Sequence, residues 1–167
     1  MTRDYAELTE RLRAACAGED DVVARMATVA CELFHTFEDF DWVGFYRVTA
    51  PGVLKVGPYQ GGHGCLVIPF DRGVCGAAAR ERRTQVVLDV EAFPGHIACA
   101  ASTRSEIVVP VFDESGALLG VLDVDSDLPG NFDARDAAAL ERLVHTVFVP
   151  ARAPAPATNR LDATPGP

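Results

Sequence analysis

Apolar side chains recur every three or four residues in three stretches of the chain, which places them on one face of a helix. The stretches are residues 4–17, about 21–38 and 132–148. Asp20 or Asp21 can cap the second predicted helix. Asn131 or Asp133 can cap the third. The pattern therefore predicts two helices at the start of the chain and one near its end.

Between these helices the pattern changes to short runs of β-branched and aromatic residues, which predict β-strands. Six runs have this character: 42–48, 53–56, 65–69, 85–88, 106–112 and 117–125. Turn residues at 51–52 and 113–116 join successive runs into hairpins, so the predicted sheet is antiparallel. A turn at 73–76 leads into a short helix. The flanking helices must cover one face of this sheet, which gives an α+β fold.

Two segments follow neither period. Residues 89–104 form a long loop around Pro94-Gly95, and a loop of this length inside a compact domain often carries function. Residues 150–167 hold five of the eleven prolines in the chain, and we expect a disordered tail there. The predicted domain is therefore 1–149.

Composition and charge narrow the class of protein. The chain has 167 residues, which suits one domain. Its net charge of −9 disfavours nucleic acid and anionic membranes as partners. It has no apolar run long enough to span a bilayer, and its charged first residues are unlike a secretory signal. Five cysteines without a secreted disulfide pattern indicate the cytoplasm, where a disulfide would be transient.

The cysteines fall into two groups. Cys16 and Cys31 lie on predicted helices, where we expect them to pack as small apolar side chains. Cys65, Cys75 and Cys99 lie in loops or at strand ends. Cys75 opens the short helix, and a helix N-terminus lowers the pKa of a thiol. Each of the three could instead be a buried apolar side chain, but three within so short a stretch indicate thiol chemistry.

Zinc is a weaker alternative for the same region. His63, Cys65, Cys75, His96 and Cys99 are suitable ligand types. Their spacing matches no paired zinc motif, so we expect no metal.

Carboxylates form a second candidate group. Asp123 and Asp125 are two apart on a predicted strand, so they share a face, and Glu106 begins the preceding strand. Carboxylates grouped in this way could bind an ammonium group, or they could be a solvated strand end. Trp42 and Tyr46 also share a face, either as strand packing or as the wall of an apolar pocket.

The motifs WVGFYRV, VGPYQG, CLVIPF, RGVCGAAA, TQVVLDV, FPGHIACA, SEIVVPV and GVLDVDS together resemble the free methionine-(R)-sulfoxide reductases. The resemblance runs from about Asp41 to Asp125. It implies a single GAF domain, a six-stranded antiparallel sheet with N- and C-terminal helices, that reduces the R-sulfoxide of free methionine.

The resemblance also implies roles for particular residues. Cys99 would be the nucleophile, and Cys65 and Cys75 would be resolving thiols. Glu106, Asp123 and Asp125 would line the substrate pocket. Two positions depart from the usual family pattern: Ala100 replaces an aspartate, and Gly-His-Gly precedes Cys65.

The chemistry of this family suits the residues present. A thiolate attacks the sulfoxide sulfur while an acid with a raised pKa protonates the oxygen. Clustered carboxylates resist simultaneous ionisation, so one can stay protonated while the others bind the ammonium of the free amino acid. The resulting sulfenic acid condenses with a second thiol, and thioredoxin reduces the disulfide. No cofactor is needed.

The alternative from another class is a GAF module that senses a small ligand without chemistry. Such a sensor gives no reason for three cysteines in loops. The sequence leaves open the oligomeric state, for which a homodimer is compatible, and the identity of the physiological reductant.

Overall fold

Six antiparallel strands form one sheet in the order β3-β2-β1-β6-β5-β4. The computed structural model describes residues 3–97 and 99–149. The strands are β1 (Trp42–Ala50), β2 (Val53–Gln60), β3 (Val67–Pro69), β4 (Gln85–Val87), β5 (Ser105–Phe112) and β6 (Leu118–Ser126). The predicted six-stranded antiparallel sheet is confirmed. The predicted tail, residues 150–167, lies outside the described residues.

All six strands differ from their predicted limits, and the differences in β2 and β3 change the position of residues near the site. β2 continues to Gln60, beyond the predicted end at Val56, because its pairing with β1 extends as far as Val43. β3 is shorter than predicted and begins at Val67, so Cys65 lies just before it. The hydrophobic pattern predicted the centre of each strand, whereas hydrogen bonding to the neighbouring strand determines where the strand ends.

Helices lie on both faces of the sheet. They are α1 (Tyr5–Ala15), α2 (Val22–Thr36), α3 (Gly73–Glu81) and α4 (Ala134–Phe148), with a short 3-10 helix at Val90–Ala92. Three of them, α1, α2 and α4, share one apolar core with the sheet. The short α3 packs on the opposite face in a second, smaller core. The expectation that the helices cover one face therefore holds for the long helices only.

Carboxylates fix the start of each long helix. Asp21 accepts hydrogen bonds from the backbone N–H groups of Val23 and Ala24 at the start of α2. Asp133 caps α4, and the Asp136 carboxylate accepts a hydrogen bond from the Asp133 backbone N–H, which completes a capping box. Of the predicted alternatives, the structure therefore selects Asp21 rather than Asp20 and Asp133 rather than Asn131. Within the described part of the chain, no helix is long and apolar enough to cross a membrane.

Arg3 ties the start of the chain to the helical layer. Its guanidinium donates to Asp39 and Asp136 and to the backbone and side chain of Asn131. The same group lies 5.0 Å from the ring centre of Phe40. These bonds give the buried carboxylate of Asp136 a cationic partner, so the pair is satisfied on both sides.

Replacing Arg3 with methionine should therefore destabilise the protein. The variant keeps much of the apolar stem but leaves Asp136 without its cation, which should cost about 3 kcal/mol in urea unfolding. Arg13→Met is the matched control, because Arg13 pairs with Glu10 on the exposed face of α1 and should cost less than about 0.5 kcal/mol. Equal losses in the two variants would contradict this account of Arg3.

Candidate active site

Three carboxylates converge on the sheet face opposite the long helices. Glu106 of β5 lies directly opposite Asp125 of β6, and Asp123 lies on the same face two residues earlier. Their exposures are 7%, 8% and 6% respectively. One oxygen from each comes within 4.8 Å of the others. The predicted shared face is confirmed, and the alternative of a solvated strand end is wrong.

Burial sets the protonation of this group. Burial is the main cause that raises the pKa of Glu106, and the charge of Asp123 adds to it. Burial likewise raises the pKa of Asp125 well above its usual value, with neighbouring carboxylates contributing. Burial raises the pKa of Asp123 only to about 7, because a hydrogen bond from Cys75 opposes the shift. Near neutral pH, Asp123 is therefore the member that most readily carries a charge.

Two of the three candidate thiols are joined. Cys65 and Cys99 form a disulfide that links the segment before β3 to the long loop before β5. Cys75 is a free, buried thiol in α3, and its Sγ lies 3.3 Å from Oδ2 of Asp123. Burial and the nearby carboxylates raise the pKa of Cys75. The expectation that the helix N-terminus lowers it is wrong, because these effects are larger.

Cys99 of the disulfide and the three carboxylates line one pocket. Its empty volume is about 380 Å³, including the open mouth. It is lined by Ile68, Gly73, Val74, Cys75, His96, Ile97, Cys99, Ala100, Thr103, Glu106, Asp123 and Asp125. Among the described residues, none that lines it is a lysine or arginine. An acidic arrangement of this kind can bind the cationic group of a small ligand.

An aromatic stack adjoins the pocket. Trp42 stacks on Tyr46 and on Tyr59, with ring centres 5.8 Å and 5.4 Å away. Tyr46 lies near Asp123 and Asp125, whose charges add to the effect of burial and raise its pKa. Trp42 and Tyr46 share a face as predicted, in the same small core as Cys75, although neither lines the pocket directly.

Several residues that close the pocket could not be identified from the sequence. Ile68, Val74, Ile97 and Thr103 line it but carry no chemical signal in the sequence. Tyr59 belongs to the aromatic stack because β2 extends beyond its predicted end. The sequence carries no clear signal for it, because Gly57 and Pro58 interrupt the strand pattern just before Tyr59.

The soft ligand types considered for zinc are not grouped as a metal site. Within residues 3–97 and 99–149, the only side chains close enough to share an ion are the three carboxylates. His96 approaches Glu106, with 3.8 Å between Nε2 and Oε2. That distance is too long for a hydrogen bond. Burial lowers the pKa of His96, so its imidazole is neutral at pH 7.

The segment that carries Cys65 lies against the aromatic stack at Gly64. A Cβ at Gly64 would lie 2.9 Å from Cζ2 of Trp42 and 2.9 Å from the hydroxyl of Tyr46. Trp42 also donates its indole N–H to the backbone oxygen of Gly62. The Gly-His-Gly departure noted in the sequence therefore lets the main chain approach the stack closely, next to Cys65.

The fold and this pocket define a class: a domain with a disulfide-forming thiol pair beside a buried acidic site. A protein-family model for the GAF domain matches residues 16–148. The chain is 40% identical over 143 residues to the free methionine-R-sulfoxide reductase of Escherichia coli strain K12, which is 86% of each protein.

Solved structures of the same family are also similar to this chain. The free methionine-R-sulfoxide reductase of Neisseria meningitidis, in complex with its substrate, matches with a TM-score of 0.81, 43% identity and 86% coverage of each chain. A putative GAF sensor protein of Burkholderia vietnamiensis matches with a TM-score of 0.82, 44% identity, and 86% and 90% coverage of this chain and that one. This chain belongs to the GAF-domain family of free methionine-R-sulfoxide reductases.

Gly64→Ala should weaken the Cys65–Cys99 disulfide. The added Cβ cannot fit against Trp42 and Tyr46, so the segment must move and the two thiols meet less often. We expect the equilibrium constant for disulfide formation in a glutathione buffer to fall about tenfold. Gly62→Ala is the matched control, because its Cβ would meet nothing within 4 Å. An unchanged equilibrium constant in Gly64→Ala would contradict this positioning.

Glu106→Gln should stabilise the protein at pH 8. Because the pKa of Glu106 is higher in the folded state than its ordinary value of 4.5, the folded protein binds more protons than the unfolded chain. Stability therefore decreases as pH rises through and above that value. The glutamine side chain stays neutral, so the free energy of unfolding at pH 8 should increase by about 1–2 kcal/mol.

The exposed Glu114 in the β5–β6 turn supplies the control for this experiment. Glu114→Gln should shift stability by less than about 0.5 kcal/mol. A Glu106→Gln variant that loses stability as pH rises just as the parent does would show that Glu106 is not the titrating group.

Proposed function

We propose that this protein reduces free methionine-R-sulfoxide to methionine, using two electrons from the Cys65 and Cys99 thiols. The observation that carries the proposal is the placement of a disulfide cysteine, Cys99, in the same pocket as three buried carboxylates. A thiol supplies the reducing electrons. The carboxylates supply a site for the ammonium group, which only the free amino acid has.

In the first step, we assign Cys99 as the nucleophile. Its thiolate attacks the sulfoxide sulfur, and the oxygen accepts a proton as its bond to that sulfur breaks. The oxygen passes to Cys99, which becomes a sulfenic acid, and methionine leaves with the electron pair. Cys99 suits this role because it lines the pocket.

In the second step, the Cys65 thiol attacks the sulfenic sulfur of Cys99. The S–S bond forms and the oxygen leaves as water. A dithiol reductant of the thioredoxin type then returns both cysteines to thiols by exchange. Recycling of this kind needs a reducing compartment, so we place the protein in the cytoplasm. We leave a homodimer as a hypothesis.

The carboxylates divide the remaining work according to their protonation. Burial raises the pKa values of Glu106 and Asp125 well above their ordinary range, so we assign to them the proton that the sulfoxide oxygen needs. Asp123, with a pKa of about 7, is the carboxylate that binds the substrate ammonium. Ile68, Val74 and Ile97 supply the apolar lining for the methyl end of the substrate, and Trp42 and Tyr46, in the same core, support that wall.

Replacing the two cysteines should separate the two steps. Cys99→Ser should release no methionine, because the nucleophile is lost. Cys65→Ser should release about one methionine per chain and then stop, because the sulfenic acid has no resolving thiol. Cys31→Ser, on α2, is the control and should turn over like the parent. The measurement is methionine released per chain, with and without thioredoxin.

The two epimers separate the enzyme from a sensor. The R epimer should be turned over with thioredoxin and the S epimer should not. Release of methionine by Cys99→Ser would move the nucleophile to Cys75. Binding of methionine sulfoxide without release of any methionine by the parent protein would favour the sensor alternative.

The requirement for an ammonium group can be tested on the substrate itself. N-acetylmethionine sulfoxide lacks this charge, so its kcat/KM should be lower by about tenfold to a hundredfold, the range for one charge-assisted hydrogen bond. Asp123→Asn should lower kcat/KM for the free substrate by a similar factor and have little further effect on the acetylated one. Equal use of both substrates by the parent protein would contradict an ammonium site.

The pH profile should report Asp123. Its carboxylate must be ionised to bind ammonium, and its pKa is about 7. Below that value kcat/KM should decrease about tenfold per pH unit, mainly through a higher KM. Asp123→Asn should flatten this part of the profile. A profile that keeps its slope in Asp123→Asn would assign the titration to another group, such as the Cys99 thiol.

A further inference from the structure

Cys75 has no place in the disulfide, yet it contacts the most readily charged member of the acidic group. It is the third residue of α3, whose apolar side packs on the site face of the sheet. Its thiol lies 3.3 Å from Oδ2 of Asp123 and is almost completely buried. At this distance the S–H group donates a hydrogen bond to the carboxylate oxygen.

The other oxygen of Asp123 has no partner. Oδ1 is buried and makes no hydrogen bond within the described structure, although Asp123 lines the pocket. A buried carboxylate oxygen without a partner is costly, because it has lost water and gained nothing in exchange. One oxygen of Asp123 is therefore held by α3, and the other is left for a ligand.

We propose that Cys75 is a positioning residue that holds Asp123 so that Oδ1 faces the pocket and accepts a bond from the ligand's cationic group. The ligand's identity, the ammonium of free methionine sulfoxide, rests on the function proposed above. Cys75 acts as a hydrogen-bond donor and exchanges no electrons.

This role differs from that of a resolving thiol, and replacement of Cys75 by serine distinguishes the two roles. A serine hydroxyl has nearly the shape of a thiol and donates a hydrogen bond, but it cannot form a disulfide. A positioning role is therefore restored by serine and lost with alanine. A redox role is lost with both.

The experiment compares Cys75→Ala and Cys75→Ser with the parent in steady-state turnover of free methionine-R-sulfoxide. Alanine should raise KM about tenfold with kcat within about twofold, as expected for one lost hydrogen bond to a charged group. Serine should restore KM to within about threefold of the parent. All three proteins should form the Cys65–Cys99 disulfide after one turnover. Cys31→Ala, a change in the half-buried thiol of α2, should match the parent throughout.

A second measurement does not depend on turnover. The pKa of Asp123 is read from carbon-13 NMR of its carboxyl carbon, titrated in each reduced protein. Alanine should raise this pKa above that of the parent, because a donor to the charged form is lost, and serine should not. The other titratable groups around Asp123 are unchanged in every variant: Tyr46 on β1, Glu106 on β5, Asp125 on β6 and His96 in the long loop.

The outcomes separate this proposal from the function itself. Unchanged KM and an unchanged Asp123 pKa in Cys75→Ala would overturn the positioning role while leaving the reductase intact. A serine variant that cannot recycle with thioredoxin would overturn it in favour of a redox thiol. If the parent reduces no sulfoxide, the proposed function fails and the NMR titration still decides the role of Cys75. Cys75→Val replaces alanine if the cavity prevents folding.

Discussion

The site depends on the burial of three carboxylates with no lysine or arginine among the described residues that line their pocket. Isolated buried charges are so costly that the groups shift their pKa values and take up protons instead. Glu106 and Asp125 do so strongly, and Asp123 does so least. The three carboxylates thus differ in how firmly they hold a proton, and Asp123 loses its proton most readily. Asp123 and Asp125 have the same ordinary pKa, so the difference between these two arises from their surroundings.

Only a rigid framework can keep such a group together, because three carboxylates that could move would separate into water. Two neighbouring antiparallel strands supply it, since opposite residues are held in fixed register. The other face of the same strands is buried under three helices, which contribute most of the apolar core. Stability obtained there, together with satisfied ion pairs such as Arg3–Asp136, offsets the cost of the acidic pocket.

The sequence was sufficient to predict this pair of strands, because the alternation along a strand and the turn that joins two strands are both local features. Alternation along β6 placed Asp123 and Asp125 on one face, and the turn at 113–116 made Glu106 their neighbour. The sequence could not predict that this face is buried, because the cover comes from α3 and the long loop, which lack a clear period. For the same reason it gave the wrong direction for the pKa of Cys75. A helix N-terminus is a local feature, whereas the carboxylates that surround the thiol come from strands about 30 to 50 positions further along the chain.

The two kinds of reacting group also differ in the structures that carry them. Carboxylates serve every stage of the proposed reaction from one position, so regular strands suit them. In the proposed reaction Cys99 bonds to Cys65 in one state and reaches the substrate in another, so a position outside the sheet suits it. It lies outside the helices and strands, in a loop whose ends are anchored by a backbone bond from Val90 to Arg104. Cys65 likewise precedes β3 rather than belonging to it. The Cys65–Cys99 disulfide therefore joins two irregular segments, whereas the carboxylates lie on regular strands. The helix α3 contacts the carboxylate group through the hydrogen bond from Cys75 to Asp123.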